Sequence, residues 1–325
     1  MKAVLCKQLG LPDSLVIEDI ASPTAGAGQV VVSIKAAGVN FPDTLIIQGK
    51  YQYKPELPFS PGSECAGLIK EVGVGVGHLK VGDAVIAFTT YGSFAEEVAV
   101  RATECIPIPA NLDLKIAAGF TLTYGTSHHA LKDRAQLKAG ETLLVLGAAG
   151  GVGTAAIELG KLMGARVIAC ASSDAKLEAC RKLGADEVIN YEKQDLRESI
   201  KQLTGDNGVD VVYDPVGGRY AEPALRGMAW KGRYLVVGFA AGIIPKIPLN
   251  LALLKGCSVV GVFWGAFTRK EPQANAANLR ELMGWLAAGK LKPLVSATYP
   301  LEQAARALKD VMERKVTGKV ILVNG

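Results

Sequence analysis

The sequence has little with which to hold a metal or to staple itself together. Its six cysteines, Cys6, Cys65, Cys105, Cys170, Cys180 and Cys257, are scattered and form no C-x-x-C pair. Most lie in apolar stretches, which predicts reduced core thiols in a reducing compartment and excludes a disulfide scaffold. Only three histidines occur, His78, His128 and His129, and none has a spacing with thiols that suits zinc. No apolar run reaches the ~18 residues of a membrane span. The opening MKAVLCKQLG reads as a strand, too short and polar for a secretion signal. Charge of one sign is nowhere concentrated: the net +5 is dispersed, which argues against nucleic acid and at most helps attract an anionic cofactor. Repeats and low-complexity linkers are missing too. What remains is the expectation of a soluble, cytoplasmic protein with no metal and no membrane partner.

What is present is ample core: 325 residues, 49% of them hydrophobic, which usually means two domains. Residues 1–122 carry short β-like runs such as QVVVSIKAAGV, GDAVIAF and FAEEVAV, punctuated by glycine and proline. From Thr123 the texture alternates strand and helix. Strands are predicted at 142–147, 166–171, 188–189, 209–213, 234–238 and 258–263, the pattern of a doubly wound parallel sheet. After Gly265 come two helices, from about Gln273 to Ala288 and from Leu301 to about Glu313, and the closing strand GKVILV. These last residues lack a complete core of their own. The expected division is therefore 1–122 with 266–325 in one domain and 123–265 in the other.

The sharpest local signal is TLLVLGAAGGVGTAAIELG, residues 142–160. A run apolar on both faces suits a buried parallel strand. Gly147, Gly150 and Gly153 follow at three-residue intervals, then an alanine-rich helix beginning near Gly151. Glycine allows a tight turn and close helix–strand packing, and the helix N-terminus offers free N–H groups to an anion. A pyrophosphate held by Gly150, Gly151 and Val152 is the expected ligand. Read as G-x-G-x-x-G, the run has Ala148 in the first position, a departure from the strict fingerprint.

The next predicted strand ends in Ser172 and Ser173, with Lys176 one turn on. Ser172 stands about twenty residues beyond Gly153, where a unit that binds NAD places an acid against the ribose 2′-hydroxyl. A hydroxyl and an ammonium would instead welcome a 2′-phosphate. This favours NADPH. Two observations stand against it: Ser173 suits a helix cap with Lys176 merely solvated, and Asp174 lies close by.

AAGVNFPD, PGSECAG, GDAV, GAAGGVG, LGADEVINY, DPVGG and TGKVIL, in that order, span nearly the whole chain. Together they resemble the medium-chain dehydrogenase/reductase superfamily, and within it the zinc-lacking, zeta-crystallin-like quinone oxidoreductases. The resemblance implies an α/β architecture: a GroES-like β-rich catalytic domain and a Rossmann domain. At the positions matching the catalytic zinc ligands of related alcohol dehydrogenases stand Asn40, Ser63 and Ala118. An amide, a hydroxyl and a methyl do not bind zinc.

The same resemblance implies NADPH-dependent reduction of a quinone or an activated conjugated carbonyl, whose own conjugation accepts the charge. Asn40 is implied near the nicotinamide ribose, and Asp43 in the frame of the pocket. Tyr51 is implied either as a proton donor, as in related enoyl-thioester reductases, or as a packing wall. Further cofactor contacts are implied at Thr123, Tyr191, Gly238, Phe239, Phe263 and Trp264, and a homodimer through the Rossmann domain. Two alternatives stay open, an enoyl-thioester (acrylyl-CoA-like) reductase and a non-catalytic NADPH-binding protein.

Overall fold

The computed structural model describes every residue from Met1 to Gly325. The chain divides into two compact units, Met1–Leu122 with Pro293–Gly325, and Thr123–Lys292.

The first unit is built on a seven-stranded sheet. Its order runs Val295–Pro300, Lys319–Val323, Gln29–Val39, Glu64–Val72, Ala84–Phe88, Cys105–Pro107, with Glu97–Arg101 also paired to Gln29–Val39. Strand Gln29–Val39 is the spine: Val30, Val32 and Ile34 alternate into a core shared with Ile69, Val85 and Phe94. Helix Ala304–Met312 closes that core with Ala304, Ala307 and Leu308. A hairpin of Lys2–Leu5 and Val16–Asp19 completes the unit.

The second unit is an all-parallel six-stranded sheet. Its order is Glu187–Asn190, Arg166–Ala171, Thr142–Val145, Val209–Asp214, Met228–Val236, Ser258–Gly261. The chain starts in the middle, works to one edge, then returns and works to the other. The strand order therefore reverses between Thr142–Val145 and Val209–Asp214, the place where such sheets bind ligands beyond their strand ends. Leu143, Leu144, Val145, Val167, Ile168, Val211 and Val212 are all buried, as a sheet covered on both faces requires.

Several boundaries differ from the sequence reading, and three of them have a clear local reason. The fifth strand begins at Met228 and stops at Val236, because Val237 and Gly238 turn their N–H groups to the Asp214 carbonyl. The sixth stops at Gly261, since Phe263 already caps helix Trp264–Lys270. The largest difference is the return to the first unit, which comes at Pro293 and not near 266. Helix Pro272–Ala287 stays with the second unit because its polar side chains are bonded there. Glu281 meets His128 at 3.1 Å and Lys132 at 2.5 Å, and Asn278 donates to Asp133 at 2.7 Å. Leu282, fully buried, anchors the same face.

Candidate active site

In the second unit the residues expected to hold a dinucleotide gather at the carboxyl ends of neighbouring strands. Helix Gly151–Leu162 begins at Gly150, and no side chain caps its N-terminus, so the first N–H groups are left for an anion. Gly153 is dictated by packing: a Cβ there would lie 2.4 Å from the Gly147 carbonyl oxygen and 2.7 Å from Ala148 Cα. The first turn is braced from below, with Tyr213 Oη and Ser127 Oγ 2.9 Å apart and Ser127 Oγ donating to the Val152 carbonyl at 2.9 Å. Val152 is thereby fixed through its backbone.

The ribose corner follows. Ser172 and Lys176 are both half-buried just past strand Arg166–Ala171. Ser173 does cap the next helix, accepting from the Lys176 N–H at 3.4 Å. This cap uses only the lysine's backbone and leaves its ammonium to other interactions. Asp174 is already engaged: Lys193 donates to it at 2.6 Å and Asn190 at 2.7 Å. The Lys193 ammonium, then the Asn190 amide, hold its carboxyl below the ordinary carboxylate range. Its charge is therefore matched by neighbouring side chains of the chain, at an exposed position. Tyr191 lies beside this corner, its N–H on the Ala171 carbonyl at 3.3 Å and its ring 4.1 Å from that of Tyr220.

Gly238 and Phe239 belong to a loop zipped against DPVGG. Asp214 organises it, accepting from the N–H groups of Val216 and Gly217 at 2.8 Å each and from Tyr234 Oη at 2.5 Å. Gly217 adopts a φ of 65°, and a Cβ there would meet the Phe239 ring at 2.9 Å. Thr123 is buried on helix Thr121–His128. Phe263 is 45% exposed, whereas Trp264 is buried with its indole against Gly125, where a Cβ would come within 2.7 Å.

In the first unit the structure assembles a buried polar cluster. Asn40 caps helix Phe41–Ile46, and its N–H donates to Asp43 Oδ2 at 2.8 Å. The Asn40 side chain is held on both ends: Oδ1 accepts from Lys319 Nζ at 2.7 Å, and Nδ2 donates to Glu64 Oε1 at 3.0 Å and to the Gly38 carbonyl at 3.3 Å. Lys319 also donates to Glu64 Oε1 at 2.8 Å. The other Glu64 oxygen accepts from the Leu122 N–H at 2.9 Å, in the first turn of helix Thr121–His128. One ammonium and two carboxyls share this interior. Glu64 takes the ammonium, and Asp43, without a counter-charge of its own, is pushed up to about 7 by burial. The Asn40 N–H and Lys319 oppose that rise, while Glu64 adds to it. Tyr51 is half-buried against the same core, its ring 5.9 Å from Tyr53.

Glu64 and Lys319 are candidate functional-site residues that the sequence expectations did not include, although they stand in PGSECAG and TGKVIL. The signal was a charge set at the head of an otherwise apolar strand, in ECAGLI and KVIL.

A seven-stranded GroES-like sheet paired in one chain with a doubly wound dinucleotide-type sheet defines the class. Residues 26–110 match the alcohol dehydrogenase GroES-like domain family, and residues 151–281 match the family described as zinc-binding dehydrogenase. No three His, Cys, Asp or Glu side chains gather closely enough here to hold a metal ion. The chain is 39% identical to quinone oxidoreductase-like protein 2 homolog from Nematostella vectensis, over 99% of this chain and 88% of that one. Quinone oxidoreductase from Escherichia coli, solved in complex with NADPH, superposes with a TM-score of 0.93 at 29% identity, covering both chains completely. The CurK enoyl reductase superposes at 0.90 with 26% identity, over 99% of this chain and 98% of that one. The chain belongs to the quinone oxidoreductase branch of the medium-chain dehydrogenase/reductase family and is an oxidoreductase by class.

Proposed function

We propose that the protein is an NADPH-dependent reductase of quinones and other activated conjugated carbonyls, working without zinc. The observation that carries the reading is the ribose corner. Ser172 and Lys176 stand where an acid would select NADH, and the one acid nearby, Asp174, is matched by Lys193 and Asn190. The uncapped helix at Gly150, Gly151 and Val152 fits the pyrophosphate, and Tyr191 fits the adenosine phosphate. Thr123, Gly238, Phe239 and Phe263 fit the nicotinamide half. When bound, the reduced nicotinamide supplies hydride. In the first unit the donor set of Asn40, Ser63 and Ala118 suits organic hydrogen bonding and not a metal. A substrate whose own conjugation spreads the charge then fits, and a simple ketone or alcohol does not.

Following NADPH absorbance against a panel of quinones, 2-alkenals and acyl-CoA esters tests the reading. Turnover of quinones or alkenals is expected. Turnover confined to acyl-CoA would move the assignment to enoyl-thioester reduction; one structural neighbour is named an enoyl reductase. Lys176→Ala should weaken NADPH binding by roughly 10–100-fold, the ~1.5–3 kcal/mol of a charge-assisted hydrogen bond, while sparing NADH. Equal affinity of the wild type for both cofactors would defeat this assignment.

An open sheet edge in the second unit supports a homodimer. Strand Ser258–Gly261 pairs only with Met228–Val236, so its outer edge is open. Val259 is half-exposed, and Trp230, Leu249 and Leu253 of the same unit are largely exposed. Such an edge invites a second strand, and a second copy fits it by two-fold symmetry. Val259→Lys should turn a dimer into a monomer by light scattering, and a monomeric wild type would refute the dimer.

A further inference from the structure

Two hydroxyls in the buried cluster of the first unit make no well-formed hydrogen bond to the protein. Ser63 Oγ and Thr121 Oγ1 make no hydrogen bond of good geometry, although Ser63 is only 7% exposed and Thr121 only 2%. A buried hydroxyl left unsatisfied is destabilising, and native folds keep few of them without a ligand or water. The two lie in the same corner. Ser63 precedes Glu64, and Glu64 accepts from Leu122, which follows Thr121. Strand and helix are thus tied together one residue away from each hydroxyl.

Resting on the reductase reading, we propose that Ser63 and Thr121 are catalytic residues that donate two hydrogen bonds to the carbonyl oxygen of the substrate, with Asp43 as the positioning residue that keeps the Ser63 proton aimed at it. The cluster gives Asp43 this role. Ser63 sits close enough to hold the acidity of the Asp43 carboxyl up against burial. A protonated Asp43 donates to Ser63 Oγ, so the serine's own proton is left for the ligand. An ionised Asp43 can only accept, and draws the serine proton away. The other groups facing Asp43 are Lys319 from strand Lys319–Val323, Glu64 from strand Glu64–Val72, and the Asn40 N–H. Their charges cancel in the Lys319–Glu64 pair, so the state of Asp43 decides the direction of the serine proton. Its pKa of about 7 places the reversal near neutrality. As negative charge grows on the oxygen after hydride arrives at carbon, both hydrogen bonds strengthen. No proton is transferred in this arrangement.

The test uses infrared spectroscopy of 2-cyclohexenone on the full-length protein without cofactor, and kinetics alongside. Two donors should move the bound carbonyl stretch to lower frequency at about pH 5.5, with much of that shift lost at about pH 8.5 as Asp43 ionises. Ser63→Ala should shrink the shift at about pH 5.5 and leave it nearly the same at both pH values, and Asp43→Asn, whose amide always donates, should hold the full shift at both. In turnover, Ser63→Ala should lower kcat by ~10²–10³-fold, the usual cost of one oxyanion donor. Asp43→Asn should abolish the fall in kcat above neutral pH. An unchanged carbonyl frequency in Ser63→Ala, or a pH limb that survives Asp43→Asn, would overturn the proposal. Wild-type protein inactive toward every carbonyl in the panel would instead sink the reductase reading, while the infrared arm still judges the hydroxyl pair.

Discussion

Lys319→Met should cost the first unit about 3–5 kcal/mol, the usual penalty for removing one partner of a buried ion pair. The ammonium is almost wholly buried and donates to Glu64, to the Asn40 side chain and to the Val39 carbonyl at 3.2 Å. Methionine fills the volume but leaves a buried Glu64 carboxylate with no counter-charge and an Asn40 oxygen with no donor. At roughly 2–4 °C per kcal/mol for domains of this size, the melting temperature should fall by about 6–20 °C. Lys319→Met with Glu64→Leu should recover a good part of the loss, since a buried pair replaced whole by apolar residues is often tolerated. A single variant as stable as the wild type would show that the pair contributes nothing. The pH course carries a second signature. Asp43 binds its proton more tightly folded, at about 7, than unfolded, near 3.8. The folded state therefore holds more protons between those values, and stability should decline as pH rises from about 4 to about 7. Asp43→Asn should flatten that slope.

The sheet of the second unit was readable because its physics is local. VIAC, VVYD and LLVL are apolar on both faces, which only a strand buried in a two-sided sheet can satisfy. Gly153 was readable for a similar reason, since the turn over Ala148 admits no side chain. The buried cluster of the first unit was not. Glu64 and Lys319 stand 255 residues apart, and no spacing rule links them. Their charges at strand heads look like ordinary solvated ends until the fold closes over them. The helix Pro272–Ala287 was assigned to the wrong unit for the converse reason. Its amphipathic pattern shows that it packs, but not against what, and the choice is made by Glu281 and Asn278 finding His128, Lys132 and Asp133. Trp264 packs its indole on Gly125, a pairing across more than a hundred residues that no local pattern signals.

Tyr51→Phe should lower kcat for enones by ~10²–10⁴-fold, the range for losing a general acid, while quinone reduction changes little. Hydride on the β-carbon of an enone leaves a carbanion that must be protonated on carbon, and a phenol positioned within reach can supply that proton. A quinone ends as aromatic oxyanions, which take protons from water. The substitution is well controlled. Tyr51 packs half-buried on the first unit's core with its ring tilted 55° against Tyr53, and phenylalanine keeps that ring, so lost packing cannot yield a substrate-selective effect. NADPH affinity, set by residues of the other unit in the reading above, should hold. The hydroxyl pair of Ser63 and Thr121 acts at the carbonyl oxygen and Tyr51 at carbon, so the two losses separate by substrate. Ser63→Ala should slow quinones and enones alike, and Tyr51→Phe only enones. Equal rates with both classes in the Phe variant would leave Tyr51 a wall of the pocket, and the proton on carbon would then come from solvent.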